Sequence, residues 1–263
     1  MNVLTETHKS SERPAKRAQL WRRSRAYLLM AVTLTLMTIT AVLMLAVATV
    51  TLFRARRFYT EVMAKRLAHA ILWVWGVGVV LHQDKPFPET QTIYISNHTS
   101  TLDMFVLVSL GLPCTRFFLW GKTRKWLPMA VIAYLMGTFF TPPQAVRADR
   151  VRCFQRADRI LRKTGDSVYL SPEGDRITGG KIGPFNKGAF HLATSLRVPI
   201  VPLYIAILRE TDPGRGYAAG SGTVHVYVKP AIPTDQWRLE DLEKNKETVR
   251  ALFERFHSEL RAG

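Results

Sequence analysis

Cysteine is scarce in this 263-residue chain: Cys114 and Cys153 are its only two, and they form no CxxC pair. That excludes a disulfide framework and a cysteine-based metal cluster. Each thiol reads as a small apolar side chain, and a reducing compartment fits. Acidic residues are also few, 20 against 37 Lys and Arg, which leaves a formal charge of +17 and a pI near 10.3. Such an excess points to a polyanionic partner. No RNA- or DNA-binding motif, internal repeat or low-complexity segment accompanies it, so nucleic acid is set aside. Anionic lipid headgroups and phosphorylated substrates remain.

The basic residues are unevenly placed. Residues 1–83 hold twelve Lys and Arg but only Glu6, Glu12 and Glu61 on the acidic side. This is also where the hydrophobic run lies. From Ala26 to Phe53 no side chain is charged, and a helix rising about 1.5 Å per residue over that length exceeds the ~30 Å hydrocarbon core. A signal peptide would have a shorter apolar region, about 7–15 residues, followed by a cleavage site. Here the run ends at Arg54, Arg56 and Arg57, as a retained anchor would. Basic residues flank it on both sides, so the positive-inside rule gives no orientation. The sequence thus predicts a basic, disordered tail over 1–25, an anchor over 26–53 and an amphipathic region over 58–82. That region carries Lys65, Arg66, Trp73 and Trp75. It suits either a helix at the lipid interface or one packed on a soluble domain.

From 84 to 263 the pattern is that of an α/β domain in which short apolar strands alternate with helices. Thr92–Ser96, Ser167–Ser171 and Pro199–Leu208 read as strands, and Val224–Val228 as an outer one. Helices are predicted over Leu102–Leu110, Val151–Lys163 with Val151, Phe154, Ala157 and Leu161 on one face, and Lys187–Leu196. A last helix, Leu239–Leu260, turns Val249, Leu252, Phe253 and Phe256 inward.

The segment Asn97-His98-Thr99-Ser100-Thr101-Leu102-Asp103 carries the first chemical signal. A general base needs an imidazole with one nitrogen free and the other held by a carboxylate. On a continuous helix, residues five apart sit about 140° round from each other and cannot touch. His98 and Asp103 therefore meet only if His98 lies in the loop and Asp103 in the first helical turn, where the positive helix end favours a carboxylate.

Alone, that pair is weak. Followed in order by SPEGDR (171–176), PFNKGAF (184–190) and VPIVPLY (198–204), it resembles the glycerolipid acyltransferase family, with its N-H-x4-D block. The resemblance covers roughly residues 60–210. It implies a mixed sheet flanked by helices with an N-terminal membrane helix, and direct acyl transfer without a metal or bound cofactor. His98 would act as base and Asp103 as its orienting partner. The donor would be acyl-CoA or acyl carrier protein, and the acceptor lysophosphatidic acid, giving phosphatidic acid. It further implies glycerol-phosphate binding by Glu173, Gly174 and Arg176, and an acyl-donor region at Val198, Pro199 and Pro202. Lys187 would face phosphate or cover the surface. Because such donors are cytosolic, the catalytic domain would face the cytoplasm at the inner membrane.

Two positions depart from the family pattern. Asp175 stands where Thr or Ser is usual, and Pro143 where an arginine is expected. Arg147 or Arg150 could supply that guanidinium; the alternative is a solvated helix start capped by Asp149. The departures leave room for another acceptor, such as a lysophospholipid or lyso-ornithine lipid. A non-catalytic membrane adaptor would have no need of His98, Asp103 and Glu173 together.

Overall fold

The computed structural model describes residues 4–143, 145–177, 181–214, 216 and 219–262. Seven strands form its framework: β1 (Val77–His82), β2 (Ile93–Ser96), β3 (Thr115–Trp120), β4 (Phe139–Thr141), β5 (Ser167–Leu170), β6 (Ile200–Ile207) and β7 (Gly222–Val228). They make one sheet in the order β1-β7-β6-β2-β5-β3-β4. Every neighbouring pair is parallel except β6 and β7. The carboxyl ends of β2 to β6 therefore share one sheet edge with the amino ends of β1 and β7.

Helices cover both faces, which is why the central strands are apolar on both sides. On one face lie α1 (Leu4–Val50), the short α2 (Arg56–Phe58) with a π-helical segment Tyr59–Ala64, α3 (Lys65–Trp75), α4 (Leu102–Leu110) and α5 (Leu127–Leu135). Tyr94, Phe117, Tyr169, Val201 and Leu203 point to this layer. On the other face lie α6 (Arg147–Thr164), α7 (Gly188–Leu196) and α8 (Leu242–Ala262). Ile93, Ile95, Val168, Leu170 and Ile200 point to that one. Alternation along each strand sorts the residues between two cores.

Helix α1 is continuous from Leu4, where the sequence predicts a disordered tail. Its stretch Arg23–Val50 is long and apolar enough to cross a membrane. A stripe of Leu29, Thr33, Met37, Ala41, Met44 and Ala48 is buried on the domain, at the three-to-four spacing of one helix face. The Trp75 indole donates to Thr33 Oγ1 at 2.9 Å, the Arg25 guanidinium to the carbonyls of Ala219 and Trp75, and Thr51 Oγ1 lies 2.7 Å from the Tyr59 hydroxyl. The helix thus lies along the first core for its whole apolar length. Leu34, Ile39, Val42, Leu43 and Leu45 face outward.

The amphipathic region differs from its prediction at its end. Helix α3 stops at Gly76, whose φ of +72° is a left-handed cap that favours glycine. Val77 then opens an edge strand, so the sheet begins before residue 84. Leu67, Ile71, Leu72 and Trp75 are buried while Trp73 is 82% exposed, so the helix is packed on the domain. β7, predicted to be outermost, lies inside β1. Leu252 and Val151 are exposed rather than inward, and Asp149 does not cap α6. Val146 is the cap residue, with no side-chain bond, and Asp149 pairs with Arg152.

Candidate active site

Strand β2 delivers the site. Where it ends, the buried Asn97 continues its pairing with β6 through its side chain: Nδ2 donates to the Ile205 carbonyl at 2.9 Å, and Oδ1 accepts from Ile205 N at 2.8 Å. Ser96 donates to the Asn97 carbonyl and also meets the Tyr169 hydroxyl. The chain is thereby locked as it turns out of the sheet, and His98 is the next residue. Asn97 belongs to the sequence motif, but its function is not legible there, because its partner is more than a hundred residues away.

His98 sits in the loop, and Asp103 lies in the first turn of α4, the arrangement their spacing demands. His98 Nδ1 is 2.8 Å from Asp103 Oδ2. The same oxygen accepts from Thr99 N at 2.8 Å and Ser100 N at 2.9 Å. The Asp103 side chain is 1% exposed and that of His98 28%. With Nδ1–H donated to the carboxylate, Nε2 carries the lone pair. The result is a fixed imidazole partly open to the outside and backed by a buried carboxyl group.

Glu173 follows β5, the parallel neighbour of β2. Both its oxygens are engaged by backbone: Oε2 accepts from His98 N at 2.5 Å and Oε1 from Gly183 N at 2.7 Å. Burial pushes its carboxyl above the usual carboxylate range, against those two donors. Ile177 N donates to the His98 carbonyl at 2.8 Å, so the 171–177 segment clasps the His98 backbone from both sides. Asn186 holds the base of this turn, with Nδ2 donating to the carbonyls of Pro172 and Glu173. The resemblance implies that Glu173 meets the substrate. In this geometry it is a brace for the histidine loop. Asn186 is a supporting residue that the sequence pattern does not single out.

The remaining site residues are only partly gathered. Gly174 has a φ of +71°, which this tight turn requires. Arg176 comes to the mouth of the site, its Nη1 donating to Thr101 Oγ1 at 2.6 Å. Asp175 Oδ1 accepts from Arg176 N at 2.8 Å, so its carboxylate bonds its own turn. Arg147 and Arg150 lie in the first turn of α6, which follows β4, the strand three places from β2 in the sheet. Lys187 pairs with Glu243 of α8 at 2.9 Å, on the layer opposite α4.

Val198, Pro199 and Pro202 lie at the amino end of β6, and Ile93 and Ile95 pair with Ile200 and Pro202. Pro199 is thus about 20 Å below the level of His98 at ordinary strand rise. Pro202 is tolerated in a central strand because its missing N–H faces β7, whose pairing begins only at Leu203. Its carbonyl on that side is met by Lys229 N. These three residues shape the sheet and are not brought to the dyad.

An apolar cleft begins close by. It is lined by Met37 of α1, Leu67 of α3, Met104 and Phe105 of α4, and Met129 and Ile132 of α5, among others. Met104 directly follows Asp103 in sequence.

An open α/β sheet with a His–Asp pair at the carboxyl ends of its strands, where such folds place their ligands, defines the class by fold and site geometry. Residues 78–206, from β1 through most of β6, match the family model described as Acyltransferase, and this segment is a domain of that family. A 1-acyl-sn-glycerol-3-phosphate acyltransferase from Limnanthes douglasii is 28% identical over 198 residues, covering 70% of this chain and 65% of the relative. The chain thus spans a little under two thirds of that relative's length. The alpha form from Bos taurus is 28% identical over 182 residues, covering 68% of this chain and 63% of its own. The crystal structure of the 1-acyl-sn-glycerophosphate (LPA) acyltransferase from Thermotoga maritima has the same fold. It has a TM-score of 0.73 and 21% identity, and the match covers 94% of this chain and 98% of that one.

Proposed function

We propose that this chain is a membrane-associated enzyme that moves a fatty acyl group from acyl-CoA or acyl carrier protein to the free hydroxyl of lysophosphatidic acid, giving phosphatidic acid. The observation that carries this reading is the dyad: His98 held through Nδ1 by a buried carboxylate, with Nε2 left to accept a proton. In the reaction Nε2 takes the hydroxyl proton as the oxygen attacks the thioester carbonyl. Asp103 then faces the imidazolium. Collapse of the tetrahedral intermediate breaks the C–S bond, and the proton on Nε2 leaves with the thiol. No acyl-enzyme is needed, because the substrate hydroxyl takes the place a serine has in a hydrolytic triad.

Three further observations support a lipid acceptor. The apolar cleft beside Asp103 suits an acyl chain, Arg176 at the mouth suits a phosphate, and the relatives are named for this acceptor. The outward apolar face of α1 and the basic N-terminal region favour the membrane. Cytosolic acyl donors favour a catalytic edge that faces the cytoplasm at the inner membrane. A second acceptor class, another lysolipid, is favoured by Asp175 and Pro143, since both reduce the positive charge at a phosphate clamp.

The test is transfer of a labelled acyl group from acyl-CoA, or from acyl carrier protein, in detergent. Lysophosphatidic acid is the acceptor beside a panel of other lysolipids, and His98→Ala is run in parallel. Transfer to lysophosphatidic acid that the substitution abolishes is expected. Activity surviving in His98→Ala sinks the base assignment, and transfer only to another lysolipid moves the acceptor. Silence with every acceptor and both donors favours the adaptor.

A further inference from the structure

We propose that α5, together with the basic turn that leads into it, is a second lipid-contacting element, lying beside α1 on an anionic membrane surface. Helix α5 is LPMAVIAYL, without a charge. Its inner side buries Ile132, Ala133 and Leu135, and Met129, Ile132, Ala133 and Met136 share a cleft with Met37 from the middle of α1. Its outer side leaves Leu127 74% and Tyr134 73% exposed. Two turns apart, these side chains lie on one stripe. An uncharged helix that turns large apolar groups outward, beside a helix doing the same, forms one continuous apolar surface.

The turn before α5 has the composition of a membrane interface. Trp120 and Trp126 are each about half exposed, and Lys122, Arg124 and Lys125 lie between them. Lys122 rests over the Trp120 ring at 4.7 Å and Arg124 over Phe140 at 4.4 Å, so charge and ring are presented together. No acidic residue occurs between Asp103 and Asp149. Aromatic rings beside basic side chains match the headgroup level of an anionic leaflet. The opposite helix layer differs, for on α8 the acids pair with neighbouring bases, as Glu243 does with Lys246 and Glu254 with Arg250. The turn follows the carboxyl end of β3 and so shares the sheet edge of His98. Contact there would bring the site to the surface where a lipid acceptor lies.

This inference rests on the membrane reading of α1, and one experiment separates the two. In the full chain with Cys114→Ser and Cys153→Ser, single cysteines at Leu127→Cys, Tyr134→Cys, Val42→Cys or Leu239→Cys carry a nitroxide. The protein is placed in nanodiscs of phosphatidylcholine and phosphatidylglycerol. Relaxation by oxygen is expected to exceed relaxation by a water-soluble nickel complex severalfold at 42, 127 and 134, with the order reversed at 239. Labels at 127 and 134 that read as water while 42 reads as lipid overturn the α5 proposal alone. A label at 42 that reads as water overturns the membrane reading and this proposal with it. Strong spin–spin broadening at 127 in place of lipid contact would assign the surface to a second copy and equally overturn it.

The cysteine background is bypassed by a second measurement on the native chain, quenching of tryptophan fluorescence by brominated lipid. Trp120→Phe with Trp126→Phe is expected to remove a clear part of the quenchable signal, and an unchanged fraction counts against the proposal. Replacing Lys122, Arg124 and Lys125 by Gln is expected to lower recovery on phosphatidylglycerol vesicles at least threefold, with phosphatidylcholine unaffected. Equal recovery on both excludes the anionic preference.

Discussion

At the scale of single residues, one oxygen atom organises the site. Asp103 Oδ2 receives His98 Nδ1 and two backbone N–H groups, so it fixes both the ring and the loop. Asp103→Asn can present one carbonyl oxygen to those donors but withdraws the charge that would face an imidazolium in the proposed reaction. The expected result is a kcat lower by roughly 10²–10⁴ with KM little changed, in the range of general-base catalysis, measured by steady-state transfer. Glu173 works differently, through the backbone of His98 and Gly183. Its folded-state pKa lies above the usual value because burial disfavours the anion. The folded protein therefore binds its proton more tightly than the unfolded chain does. The stabilisation this gives is complete below the unfolded pKa and is lost as pH rises through the folded one. Glu173→Gln removes that titration and one of two acceptors. It is expected to cost about 1–3 kcal/mol at low pH, by a margin that shrinks as pH rises, read from thermal melts across pH 4–8. The dyad is legible in the sequence because both partners lie in one short block, Asn97 to Asp103, which three further blocks follow in order. The Glu173 brace and the Asn97 and Asn186 clamps are not, since each partner lies on another strand or loop.

At the scale of elements, the parallel run of β2, β5 and β3 is what carries separate loops to one edge. At the opposite edge a buried ion group ties the helical layer to that sheet. Asp166, just before β5, is 3% exposed. It accepts from Arg56, which opens α2, and from Arg116 of β3 at 2.7 Å. Arg116 also donates to the Gly137 carbonyl. Burial lowers the pKa of Arg56, with Arg116 adding repulsion that Asp166 counters. Asp166→Ala would leave two part-buried guanidinium groups facing each other. Breaking a buried pair on one side costs about 3–5 kcal/mol, so a fall in denaturation midpoint is expected, checked by thermal unfolding in detergent. A midpoint within a degree of the parent would show that solvent screens the pair. β1 is hidden behind the amphipathic helix before it, because Lys65 to Trp75 keeps helical periodicity up to Gly76 and Val77–His82 is a short apolar run. β7 reads as outermost because its alternation matches a half-covered strand, which an inner strand beside an uncovered edge strand also shows.

At the scale of the molecule, α1 is part of the fold as well as an apolar face. The first core includes Leu29, Met37, Ala41, Met44 and Ala48 alongside Trp75, Phe105 and Val224, so the apolar run packs on the protein with one side and turns an apolar face outward with the other. A sequence reads such a run as a detachable anchor, since hydropathy does not distinguish the face that packs from the face that does not. The two views differ in outcome. If the anchor were modular, a chain beginning at Arg54 would fold as a soluble domain. With the α1 stripe removed, Trp75, Ile71 and Met104 face water and the indole N–H loses Thr33. Such a truncation is expected to aggregate or bind hydrophobic dye, measured by sedimentation and fluorescence. Because a failed truncation has many causes, Thr33→Val in the full chain supplies the finer test. It keeps the shape, leaves the buried Trp75 N–H unmatched and is expected to cost about 1–3 kcal/mol. Thr35→Val, whose hydroxyl bonds only its own helix at Ala31, is expected to be near neutral. Equal effects of the two substitutions would mean that α1 is held by the membrane alone; a clear difference places it within the cooperative unit that positions His98.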